Sequence, residues 1–315
     1  MNQPVAVVAI GGNALIKDPQ RISSTDQYAA VKETVPHIGA LIASGWRVVI
    51  GHGNGPQVGF ALRRSELSAS ELPELPLDVC GADTQGWIGY FLQQALQNYL
   101  RALNYPSDVA TVVTQVEVDP ADPAFQNPTK PIGNWMSYEQ AQQRQKEGWA
   151  VIEDAGRGWR CVVPSPAPKR IIEESTIRKL VDSGTIVIAV GGGGIPVVPK
   201  EDGSLQGVGA VIDKDLSCAL LANKLNANAF ILCTGVEKVA LHFGTPQMKW
   251  LDTITLSEAK AYLEEGIHFA KGSMAPKIQA AIAFLEAGGD HVIITNTENL
   301  SRAVAGETGT HIVRD

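Results

Sequence analysis

Several common kinds of protein chemistry have no footing in this chain of 315 residues. Its four cysteines (Cys80, Cys161, Cys218 and Cys233) form no CxxC pair, and its six histidines lie far apart. Neither a disulfide framework nor a zinc site is indicated. Positive charge is in short supply: the formal net charge is −7, which argues against nucleic acid or an anionic membrane as partner. An anionic substrate would have to be met by a few well-placed cations. No apolar run approaches the about 20 residues of a spanning helix, and no secretory leader precedes Val5–Ile10, so a cytoplasmic protein is expected. Familiar nucleotide and hydrolase signatures are missing too. There is no GxxxxGK[ST], neither Gly191–Pro196 nor Gly53–Val58 has GxGxxG spacing, and no GxSxG elbow occurs.

What the chain does have is material for a large core, with 44% apolar residues. Short apolar runs alternate with helical patterns from end to end. Strands are expected at Val5–Ile10, Arg47–Ile50, Val109–Val113, Thr185–Val190, Ala229–Thr234, His291–Thr295 and His311–Val313. Helices are expected over Ser24–Ser44, opened by a Ser24/Gln27 capping box, and over Asp83–Leu103, Glu174–Ser183, Asp213–Asn226, Ser257–Glu265 and Lys277–Ala287. The length fits one large α/β domain or two smaller ones, and the alternation implies a mostly parallel open sheet with helices on both faces. One stretch breaks the rhythm. Residues 119–163 carry four prolines, a polar helix near Ser137–Glu147 and the run Gly156-Arg157-Gly158-Trp159-Arg160, with too few apolar residues for a core of their own. Such an excursion is a decorative insertion or a protruding lid, and long ones are more often lids.

Glycines follow the strands directly: Gly11-Gly12-Asn13, Gly51-His52-Gly53-Asn54-Gly55, Gly191–Gly194 and Gly235. In a parallel sheet all four loops lie at the carboxyl edge, where ligands bind, and together they favour an anion cradle over mere turns. His52, set between two glycines, suits a hydrogen-bonding role better than that of a base. Two lysines sit where a cation is unfavourable. Lys214, in Asp213-Lys214-Asp215, and Lys277, after Pro276, each fall in the opening turn of a helix. Either could be solvated beside an ordinary cap; together they point to a shared anion, phosphate above all. Lys130, between Pro128 and Pro131, is a third cation that a lid could carry. Asp215 would orient the lysines, since an anionic nucleophile such as a carboxylate needs no base.

These residues bring a family into view. Ala9–Ala14, His52–Gly59, Asp83-Thr84-Gln85-Gly86, Asn127–Gly133, Glu153–Gly158, Gly191–Val197, Ala210–Asp215 and Gly272–Lys277 resemble, in order and over nearly the whole chain, the motifs of the carbamate kinases in the amino acid kinase superfamily. The resemblance implies a single domain over residues 1–315, a three-layer α/β/α sandwich with a small protruding lid at 119–163, acting as a homodimer. It implies reversible phosphoryl transfer between ATP and carbamate, giving ADP and carbamoyl phosphate, with Mg2+. Catalytic roles would fall on Lys130, Lys214, Asp215 and Lys277, small-substrate contacts on Gly11, Gly12, Asn13, Gly53 and Asn54, and the nucleotide near Gly235, Val236, Phe243, Met274 and Lys277. No carboxylate cage for the metal is expected, as magnesium would ride on the phosphates. Without ligand, Lys130 is expected to stand away from Lys214 and Lys277. Two alternatives remain: a kinase for another carboxylate, such as an acetylated amino acid, and a nucleotide sensor without turnover. The first would need an arginine for the extra carboxylate, and none lies in the glycine loops.

Overall fold

In the computed structural model, residues 3–12, 15–16, 18, 20–154, 158–270 and 272–315 are described. From the N-terminus run β1 (Val5–Ile10), α1 (Ser24–Ala43), β2 (Arg47–His52), α2 (Gly55–Ser68), α3 (Leu77–Ala102), β3 (Val109–Thr111) and β4 (Gln115–Val118). The excursion contributes β5 (Lys130–Met136), α4 (Tyr138–Lys146), β6 (Val151–Glu153) and β7 (Trp159–Val163). There follow β8 (Pro168–Ile171), α5 (Glu174–Asp182), β9 (Ile186–Ile188), β10 (Ile195–Pro199), β11 (Leu205–Gly207), α6 (Lys214–Lys224) and β12 (Ala229–Thr234). The chain closes with β13 (Val239–Leu241), β14 (Lys249–Leu251), β15 (Thr253–Thr255), α7 (Leu256–Glu265), α8 (Met274–Glu286), β16 (His291–Asn296), α9 (Leu300–Val304) and β17 (Thr310–Val313).

Eight strands form the main sheet in the order β15-β17-β16-β12-β1-β2-β9-β3. All its pairs are parallel except β16 with β17. Both faces of β1 are buried, and alternate side chains enter different cores, as the pleat requires. Val5, Val7 and Ala9 pack with residues of α5, α6 and α8. Ala6, Val8 and Ile10 pack with α1, α3 and α9. This is the α/β/α sandwich expected from the alternating pattern.

Differences from expectation have local causes. The cap of α1 is Ser23, whose hydroxyl accepts from the Asp26 amide. Gln27 does not close a box with Ser24; its side-chain amide donates to the Ile22 carbonyl and accepts from Gln57. Helix α3 begins six residues before Asp83, because Thr84 and Gln85 are buried although polar and so conceal the apolar stripe. Helix α2 adds to the expected elements, its helical pattern hidden behind a Gly-Pro start. Beyond the main sheet, β4 joins a second sheet of order β11-β10-β4-β8.

The excursion is built on the antiparallel sheet β5-β7-β6. Ile132, Cys161 and Val163 from it share a small core with Val58 of α2, Cys80 of α3 and Val211. Its apolar side chains are thus buried against other elements. Docking is close: a Cβ on Gly59 would lie 2.2 Å from the Gly133 Cα. Only a residue without a side chain lets β5 approach α2 so tightly.

All four cysteines are buried and free. Burial pushes the Cys80 thiol up to about 11 and those of Cys218 and Cys233 up to about 12. Inert thiols are the expected result. A small aromatic disulfide reagent at pH 8 should label none of the four promptly in the folded protein and all four after denaturation; fast labelling of even one native thiol would contradict this.

Candidate active site

The carboxyl edge of the main sheet gathers the glycine loops after β1, β2, β9 and β12, as the parallel order requires. Into this edge points the N-terminus of α6. Asp213 caps that helix: Oδ1 accepts from the amides of Asp215 (2.8 Å) and Leu216 (3.4 Å). Its second oxygen is left over, and there Lys130 of β5 donates at 2.6 Å. Asp215, on the first turn, is fully used by lysines. Oδ1 accepts from Lys214 Nζ, and Oδ2 accepts from Lys277 Nζ of α8 at 2.9 Å. The four residues singled out from sequence therefore fall into two ion-paired groups, Lys130–Asp213 and Lys214–Asp215–Lys277, joined where the Asp215 amide donates to Asp213, which is a fifth member as well as the helix cap.

Their electrostatics follow from crowding. Burial opposes ionisation of Asp213 and Asp215, but the neighbouring ammonium groups overcome it and hold both carboxyls below the usual range. Burial likewise opposes the charge of Lys214, and Asp215 with Asp213 overcomes it, raising that lysine. Lys277 is different. Burial and the like charge of Lys214 outweigh its share of Asp215, so its tendency to hold a proton is lowered. Three ammonium groups face two carboxylates. One positive charge is left over between the N-termini of α6 and α8, a setting that favours an incoming anion.

Lys130, expected to stand away from Lys214 and Lys277, is docked on Asp213, the residue before Lys214. The second oxygen of the cap supplies its counter-charge. Gly191–Gly194 differ from the cradle expected of them. They are buried and do not line an open cradle. Cβ atoms there would lie 2.4 Å from the His52 ring, 2.2 Å from the Asn54 amide, 2.3 Å from the Ile212 carbonyl and 2.2 Å from Val116. Their glycines let three loops close on one another. Ser217 of α6 donates to the Gly193 carbonyl at 2.6 Å, and Gln85 of α3 donates to that of Gly191 at 3.0 Å.

Gly53 lies beside Lys214, whose Cδ would be 3.3 Å from a Cβ on that glycine. Gly11 abuts the Cys233 carbonyl, and Gly12 is open. Asn54 is buried, with its amide nitrogen donating to Thr84 at 2.9 Å. Asn13 lies outside the described residues. His52 is buried, with Nδ1 3.1 Å from the Gly53 carbonyl; burial lowers its pKa to about 4, so it is neutral and structural. Of the nucleotide candidates, Met274 and Lys277 share the first turn of α8, and Gly235 and Val236 follow β12. Phe243 is exposed on the turn between β13 and β14, its ring edge-on to Trp250. An arginine also reaches the β2 loop from the excursion, which the sequence order hides. A Cβ on Gly55 would lie 3.8 Å from Arg160 Nη2. That guanidinium is 3.4 Å from Asp154 and stacks over Trp135.

Residues 4–296 match the model of the amino acid kinase family. The chain is 52% identical to the carbamate kinase-like protein YahI of Escherichia coli, across 98% of this chain and 99% of that one. It is 49% identical to the carbamate kinase of Pyrococcus furiosus, across 98% of each. Among solved structures, the carbamate kinase of Giardia lamblia bound to AMP-PNP superposes with a TM-score of 0.90 at 42% identity, over 99% of both chains. With its lysines and aspartates clustered at the carboxyl edge of a parallel sheet, this protein belongs to the amino acid kinase family and, within it, to the carbamate kinases.

Proposed function

We propose that the protein transfers the γ-phosphoryl group of ATP reversibly to carbamate, giving ADP and carbamoyl phosphate. The observation that carries this reading is the Lys214–Asp215–Lys277 bridge, with Lys130 one carboxylate away. An anionic carbamate oxygen attacks the γ-phosphorus while the bond to the ADP oxygen breaks. No proton has to be removed. Catalysis then consists of positioning and of neutralising charge on the transferring group. Lys214 and Lys277 would meet the phosphoryl oxygens, and Asp215 would hold the two like charges in place. Lys130 would exchange Asp213 for the phosphoryl group as residues 119–163 close like a lid and exclude water from the acyl phosphate.

Gly11, Gly12, Asn13, Gly53 and Asn54 would hold the small acceptor, and Gly235, Val236, Phe243, Met274 and Lys277 the nucleotide. A homodimer in the cytoplasm completes the reading, as the resemblance implies. Magnesium fits as part of the nucleotide substrate. Among the described residues no cluster of three or more His, Cys, Asp or Glu side chains could hold it, and Asp213 and Asp215 are occupied by lysines. Calorimetry should therefore show no tight Mg2+ binding to the protein alone and Mg2+-dependent binding of ADP. Tight binding to the nucleotide-free protein would overturn this part.

The decisive assay is coupled ATP formation from ADP and carbamoyl phosphate, with acetyl phosphate as control. No ATP from carbamoyl phosphate would refute the reading. Arg160 beside Gly55 favours one second reading, an acceptor with an additional carboxylate. Asp154 already balances that charge, and ADP formation with an N-acetylated amino acid would be its sign.

A further inference from the structure

We propose that Thr84 is a positioning residue that fixes which end of the Asn54 amide faces the acceptor, and that Asn54 Oδ1 thereby reads the amino group of carbamate. The inference rests on the carbamate kinase reading above and adds the basis of its selectivity. Thr84 is wholly buried in α3. Its hydroxyl donates to the Gly81 carbonyl at 2.6 Å, one turn back. That uses its single proton, so it can meet Asn54 only with a lone pair. The group facing it must be a donor, and the Asn54 nitrogen lies there at 2.9 Å. The orientation of the amide is thus set by bonding, not by shape, since its two ends are nearly the same size.

Packing locks the arrangement. A Cβ on Gly192 would lie 2.2 Å from Asn54 Nδ2 and 2.9 Å from Oδ1, so the β9 loop closes one side of the amide. The loop is held there by Gln85, which donates to the Gly191 and Thr114 carbonyls and accepts from the Thr114 amide. Among the described residues no donor reaches Asn54 Oδ1, and that atom is not one of the sealed, unpartnered atoms of the interior. It presents an acceptor with no proton of its own on the loop where a Cβ on Gly53 would lie 3.3 Å from the Lys214 side chain.

Carbamate and carbamoyl phosphate carry an NH2 group beside the reacting carboxyl oxygen; acetate and acetyl phosphate carry a methyl group there. A carbonyl oxygen facing an N–H gains a hydrogen bond, whereas facing a methyl group it is stripped of water and left unpaired. Turned around, the amide would offer NH2 to NH2 and the preference would vanish.

The test is the ratio of kcat/KM for carbamoyl phosphate to that for acetyl phosphate, both assayed with ADP on one preparation, so that any inactive fraction cancels. Thr84→Val removes the hydroxyl at nearly constant volume and should lower the ratio about tenfold or more. Thr84→Ser restores the hydroxyl and should keep the wild-type ratio. If Thr84→Val fails to fold, Thr84→Ala removes the same group and serves in its place. An unchanged ratio in the hydroxyl-free variant, with both substrates declining together, would reduce Thr84 to core packing and overturn the proposal; so would a serine variant that does not recover the ratio. Failure of the underlying reading is distinct, since the wild-type protein would then make no ATP from carbamoyl phosphate.

Discussion

Lys214→Ala is expected to lower kcat for ATP formation from carbamoyl phosphate by about 10²–10³, while the protein stays folded. The rate effect follows from losing a preorganised cation at the transferring phosphoryl group, worth about 3–4 kcal/mol in a site that excludes water. The small effect on folding follows from the geometry. Asp215 is bonded to two lysines, so removing Lys214 leaves its carboxylate paired with Lys277 at 2.9 Å. No buried charge is stranded. KM for ADP should change less than kcat, because the transferring group gains the most charge on the way to the transition state. Steady-state kinetics with a thermal unfolding curve of the same sample would check both halves. Turnover near that of wild type would remove Lys214 from the mechanism.

Asp215→Asn should do the reverse in kind: it should damage stability and activity together. Without that carboxylate, Lys214 and Lys277 face each other, both nine-tenths buried or nearly so, with only Asp213 near. Breaking a buried ion network by removing one sign of charge costs about 3–5 kcal/mol. Urea unfolding at pH 7 should show the loss.

The pH dependence offers a second readout. In the native protein the carboxyls of Asp213 and Asp215 are held below their unfolded values. Their stabilisation is fully present above an unfolded pKa of about 3.9 and is lost as pH falls through the depressed folded values. Wild-type stability should therefore decline below about pH 4, and the variant should decline less steeply because one contributor is gone. A variant as stable as wild type, with the same acid limb, would show that Asp215 does not bind the network together.

Much of this architecture could be read along the chain. The all-apolar run Val5–Ile10 marks a strand buried on both faces, and it is the hub of the main sheet. Glycines after β1, β2, β9 and β12 place four loops at one edge, because a parallel sheet puts every strand end on the same side. Lys214 and Lys277 drew attention by standing where a helix dipole repels a cation, and both do stand in opening turns. Such inferences succeed because periodicity and capping are local, set by residues within a turn or two of one another.

Other features became visible only once the chain was folded. Lys130 and Asp213 are 83 residues apart, and nothing near either one names its partner. Sequence order put Arg160 far from the glycine loops, but β7 carries it to Gly55. The start of α3 is hidden in the sequence because Thr84 and Gln85 are polar and yet buried, paired with Asn54, Thr114 and Gly191 from other elements. The glycines at 191–194 looked like an open cradle and prove to be the space into which His52, Asn54 and Ile212 pack. The physical reason is the same throughout. Sequence by itself determined which segments are helix or strand, which faces are buried, and which lysines are misplaced for stability. Which charge answers which, and which polar group is satisfied by which, depends on distances between segments, and only tertiary packing sets those distances.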